Sequence, residues 1–138
     1  MSTSGTALEA KLQAASSAYS KLETDYAKAV EARQRLDAQK TENESVKKEL
    51  AALTLKNNVF KLVGPILMKQ EPDEAKQNVD KRLEWIGGEI KRVETNLKDL
   101  ETKLETRKVE IVNLQGQYQQ QLQASGAAPS AGPAAIAA

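Results

Sequence analysis

Asn57-Asn58-Val59-Phe60-Lys61-Leu62-Val63-Gly64-Pro65-Ile66-Leu67-Met68-Lys69-Gln70 is unlike anything else in the chain. Asn57-Asn58 breaks what precedes it, and Val59–Val63 is rich in β-branched and aromatic residues, the composition of a strand. Gly64-Pro65 interrupts that run, and Ile66–Gln70 resumes it. Two runs of five about a Gly-Pro turn predict a β-hairpin. Apolar residues are nearly continuous in both runs rather than alternating, so both faces are expected to be covered. An isolated two-stranded hairpin is marginal in water, and its outer edges present unpaired backbone groups. Seven apolar side chains, Val59, Phe60, Leu62, Val63, Ile66, Leu67 and Met68, are too many for a small cap. They predict an oligomerisation element completed by something outside this chain.

Upstream, residues 7–54 read as one helix without Gly or Pro before Leu53. Leu8, Leu12, Ala15, Tyr19, Leu22, Tyr26 and Ala29 recur at alternating steps of four and three, the seam of a helix packed on another helix. Leu36 continues it, and Val46, Leu50 and Leu53 resume it. Joining the two runs through Gln39 and Asn43 predicts a stammer, a local overwinding. Downstream, Pro72 suits a first helical turn, and Asp73 and Glu74 suit its dipole. The helix 72–122 then carries an unbroken seam: Val79, Leu83, Ile86, Ile90, Val93, Leu97, Leu100, Leu104, Arg107, Ile111, Leu114, Tyr118. Glu94 with Lys98 and Asp99 with Lys103 have the favourable i,i+4 order. Gly87-Gly88 conflicts with this helix, each Gly costing up to about 1 kcal/mol against Ala. Residues 1–6 and 123–138, small and polar or Ala, Gly, Ser and Pro, are expected to be disordered.

Two helices of such length joined by a tight hairpin must return antiparallel, each about 70 Å long at 1.5 Å per residue. The fold class is therefore mainly α: a long antiparallel two-helix coiled coil with a β-hairpin at the connection. Leu8–Leu22 should lie near Leu114–Leu122. Fraying of terminal turns should expose Leu8, Leu12, Tyr19, Leu114, Tyr118 and Leu122; from periodicity alone this is ordinary fraying, with a contact surface as the alternative.

Composition excludes much else. Of 138 residues, 40% are apolar and only 4% aromatic, which suits long helices better than a globular core. There is no Cys and no His, hence no disulfide, no thiolate nucleophile, and neither the commonest metal ligand nor the usual general base. Twenty basic against 19 acidic residues give a net charge of +1, which argues against bulk attraction to nucleic acid or anionic membrane. No apolar run approaches a membrane span. No Gly-rich phosphate loop follows a strand, and carboxylates on a two-helix rod lack a desolvated cleft. Asn43-Glu44-Ser45 matches a glycosylation acceptor, but it falls inside a long helix. The expectation is a soluble protein of a reducing compartment, not an enzyme, with no cofactor and no metal.

Thr41-Glu42-Asn43, Val46-Lys47-Lys48-Glu49-Leu50, the whole stretch from Val59 to Glu71, and Lys81-Arg82-Leu83-Glu84-Trp85-Ile86 with Glu89-Ile90-Lys91-Arg92 resemble the β-type subunits of the prefoldin family. The resemblance runs from about Leu8 to Leu122. Its specific part is Val59 to Glu71; Gly87-Gly88 and the Ala/Pro tail are expected departures. It implies an α2β4 heterohexamer in which hairpins build a β-barrel body and coiled coils project from it. It implies that the tips, Leu8, Leu12, Tyr19, Leu114, Tyr118 and Leu122, contact unfolded clients such as actin and tubulin and a cytosolic group II chaperonin, without nucleotide. Weak capture by several tips at once would hold a client reversibly. A structural coiled-coil scaffold of another assembly is the alternative.

Overall fold

The computed structural model describes residues 2–54 and 56–126. Four elements follow in order: α1 (Ser2–Ala51), β1 (Val59–Val63), β2 (Ile66–Gln70) and α2 (Pro72–Ala124). Their contacts divide into two units, Lys28–Leu97 and Met1–Ala27 with Lys98–Ala138, each described by itself.

In the Lys28–Leu97 unit, α1 ends because a local polar knot replaces its next turn. The Thr54 backbone N–H and hydroxyl both donate to Asn57 Oδ1, at 2.8 and 2.9 Å, and the Asn57 N–H donates back to the Thr54 carbonyl at 3.1 Å. Such Asx interactions offer the backbone an alternative to the helix. The helix therefore stops at Ala51 rather than near residue 54. β1 and β2 pair antiparallel from Val59↔Gln70 to Val63↔Ile66, leaving the two-residue loop Gly64-Pro65. Gly64 sits at φ +60°, as the first central residue of a tight hairpin turn demands of glycine. Pro72 opens α2, and the Ala75 N–H reaches back to the Glu71 carbonyl.

At the base of the hairpin, Leu50, Ala75 and Val79 are buried together, with Leu53, Val59 and Leu83 packed against them. Further along, Ile86 is the most deeply buried large side chain, only 1% exposed. On α1 the buried positions are Ala29, Asn43 and Leu50, with Leu36 half-buried between them; Val46 is exposed. Asn43 and Leu50 are seam positions with or without the expected stammer; of the residues that distinguish the two, Val46 is exposed while Leu53 packs at the hairpin base. Asn43 is tolerated in the seam because its side-chain amide donates to the Gln39 carbonyl at 2.7 Å.

In the other unit, Leu8, Ala15 and Leu114 form the buried cluster, flanked by Leu12, Ile111 and Tyr118. The α2 seam is as the spacing predicts, Arg107 alone lying exposed, where it pairs with Glu110. Helix α1 already begins at Ser2, not after residue 6, and Gly5 and Glu9 line a shallow groove with the last turns of α2. Helix α2 reaches Ala124, two residues beyond the expected end, and closes on Gly126 at φ +72°. The rest of the tail, from residue 127, lies outside the described residues.

Candidate functional site

The hairpin register sorts its side chains onto two faces. Phe60, Leu62 and Leu67 share one, with Leu62 directly opposite Leu67; Val59, Val63, Ile66 and Met68 share the other, with Val63 opposite Ile66. Only Val59 is drawn into the base cluster. The other six are exposed, Leu62 most of all at 68%. Cross-strand pairing thus satisfies the inner backbone groups and leaves large apolar side chains open on both sides of a single ribbon. Apolar surface gains about 25 cal/mol per Å² when removed from water, so the ribbon's chemistry is association.

The far-end residues behave differently from expectation. Leu8 and Leu114 are buried, and Leu12, Tyr19 and Tyr118 are half-buried; of the six, Leu122 alone is exposed. Here the Tyr118 hydroxyl of α2 donates to Glu9 Oε1 of α1 at 2.9 Å. The next seam position after Tyr118 is Gln121, half-buried, which turns Leu122 outward. Among the described residues of this unit, the large apolar side chains that stand exposed are Val109, Val112 and Leu122. Heptad reading passes over Val109 and Val112, since they flank Ile111 off the seam; two β-branched residues at outward helix positions were the available signal. Trp85, 60% exposed in the other unit, was missed for the same reason.

Charged groups fix the pairing. In the Lys28–Leu97 unit, Arg33 reaches Glu94 at 3.0 Å and Lys47 reaches Asp80 at 3.0 Å. Glu94 thus pairs across the helices rather than with Lys98, as its spacing suggested. In the other unit, the Tyr26 hydroxyl donates to Glu101 Oε1 at 3.1 Å. Exposed ion pairs are worth no more than about 1 kcal/mol, so they select register more than they stabilise. Tyr26 and Tyr118 both have raised pKa values, because each phenol proton is held by a carboxylate and phenolate would be repelled by it. A raised folded-state pKa means the stabilisation is present below the ordinary tyrosine value and is lost as pH rises through the folded value. Glu9→Gln should therefore move the Tyr118 phenolate absorbance transition down toward the ordinary tyrosine midpoint; an unmoved transition contradicts that contact.

Among the described residues no group of three or more acidic side chains is placed to hold a metal ion, and no helix is long and apolar enough to cross a membrane.

Two long helices paired antiparallel and joined by an open-faced hairpin define a class, that of β-type prefoldin subunits. The prefoldin β subunit from Thermococcus strain KS-1 superposes with a TM-score of 0.68, at 22% identity, covering 73% of this chain and 89% of that one. The family model described as Prefoldin subunit matches residues 13–123. Prefoldin subunit 6 of Homo sapiens is 45% identical over 122 residues, covering 88% of this chain and 95% of the relative. Prefoldin subunit 6 of Arabidopsis thaliana is 41% identical over 99 residues, 72% and 77% respectively. The chain belongs to the prefoldin subunit family, a family of chaperone subunits rather than enzymes.

Proposed function

We propose that this chain is a β-type subunit of a cytoplasmic α2β4 prefoldin hexamer that captures unfolded proteins without nucleotide and delivers them to a group II chaperonin. One observation carries the reading: six large apolar side chains stand open on both faces of a ribbon that nothing among the described residues covers. In this reading sister hairpins supply the covering, with Phe60, Leu62, Val63, Ile66, Leu67 and Met68 as the assembly residues and Val59 at their base.

Client contact, with actin and tubulin as the expected clients, falls to the unit that holds both helix ends. Val109, Val112 and Leu122 are available there as it stands. Leu8, Leu12, Tyr19, Leu114 and Tyr118 become available only where the helices part. Each subunit then offers a small apolar area, and affinity comes from several subunits acting on one chain.

The test is aggregation suppression. Reconstituted with α-type and other β-type subunits, the chain should keep a denatured, unrelated protein soluble. The triple variant Val109→Ser, Val112→Ser, Leu122→Ser should weaken this several-fold while the complex keeps its mass. A complex that assembles but never suppresses aggregation marks a scaffold, and a stable monomer indifferent to such subunits removes the assembly role.

A further inference from the structure

The cross-helix pairs of the Lys28–Leu97 unit repeat with a regular step. From Arg33 to Lys47 on α1 is two heptads, and from Glu94 to Asp80 on α2 is two heptads in the opposite direction. The register therefore places Lys40 opposite Gly87, at the rung between the two ion pairs. Cations stand at all three α1 positions, whereas α2 offers an acid, a glycine and an acid. Lys40 makes no ion pair among the described residues. A Cβ built on Gly87 or on Gly88 meets nothing within 4 Å, so neither glycine is there to admit a close neighbour.

Other weaknesses fall at the same level. Asn43, one turn from Lys40, is the buried polar residue of the seam, and its amide bonds to its own helix rather than across it. Gly87 and Gly88 are adjacent and helical, and paired glycines are a recognised cause of helix bending. On the seam side, Ile86 is packed to 1% exposure and Ile90 is buried, so the helices remain joined there.

We propose that this level, residues 40–43 of α1 opposite 84–88 of α2, is a built-in flexing point of the helix pair. Ile86 acts as the pin and the two glycines as the yielding backbone. The missing acid at residue 87 leaves the outer edge unlatched, so the pair bends here before it does at the ion pairs on either side. This inference stands independently of the chaperone reading, since it rests on local packing alone.

Hydrogen–deuterium exchange on the full chain, in its native assembly, tests it. After correction for intrinsic rates, amides 87–91 should exchange about tenfold faster than those of 79–83 and 97–101. Gly87→Ala and Gly88→Ala should each slow that exchange about fivefold, from the helix-propensity difference. Gly87→Glu should slow it more than Gly87→Gln, with the difference lost in high salt. Protection at 87–91 equal to the flanking turns overturns the proposal, as does rapid exchange that both alanines leave unchanged. Equal effects of Glu and Gln at residue 87 remove Lys40 from it.

Discussion

Leu62→Ser with Leu67→Ser should abolish assembly while leaving the chain helical. The two side chains are directly opposite on one face of the hairpin and both are largely exposed in the single chain. Neither belongs to the buried cluster at the hairpin base, so the helix pair loses nothing. At an interface each leucine is worth roughly 1.5–3 kcal/mol when fully covered. Losing two weakens each contact by about 3–6 kcal/mol, a factor of roughly 10²–10⁴ in affinity. Native mass spectrometry with sister subunits should show the hexamer giving way to free chains, with the far-ultraviolet helical signal unchanged. Val63→Ser with Ile66→Ser tests the opposite face. If both faces are covered in the assembly, both double variants dissociate it; a hexamer indifferent to either pair means that face is left in solvent, and indifference to both ends the assembly proposal.

The hairpin and the α2 seam were legible because composition and spacing there admit few alternatives. Gly64-Pro65 between two β-rich runs leaves little but a two-residue turn, and the structure has that turn with Gly64 at positive φ. The α1 seam was harder. Asn43, expected to fill the seam, is buried there, whereas Val46, expected in the same seam, is exposed. A polar residue able to bond its own backbone, as Asn43 does to Gln39, can occupy a seam position. At the far ends, the hydroxyl contact from Tyr118 to Glu9 depends on cross-helix register, which local spacing does not encode. The same register turned Glu94 toward Arg33 and made Val109 and Val112 the exposed apolar residues.

Ile86→Ala should be the most destabilising single truncation in the helix pair. Ile86 is 1% exposed, the most deeply buried large side chain among the described residues. Aliphatic-to-alanine changes at such sites cost roughly 2–5 kcal/mol, from lost transfer energy and the cavity left behind. Alanine's better helix propensity returns only a few tenths of a kcal/mol. The cavity should collapse poorly, because the adjacent Gly87 and Gly88 carry no side chains that could swing in to fill it. Val112→Ala is the matched control: Val112 is 59% exposed on the same helix, and its truncation should fall within about 0.5 kcal/mol of neutral. Urea unfolding followed by circular dichroism, on the full chain, gives both values on one scale. If the two variants unfold at the same urea concentration, seam packing at Ile86 does not hold this region together. The ion pairs at Arg33 and Lys47 would then have to do so, and 1 M salt, which screens exposed pairs, should unfold the chain more readily than it does when the seam carries the stability.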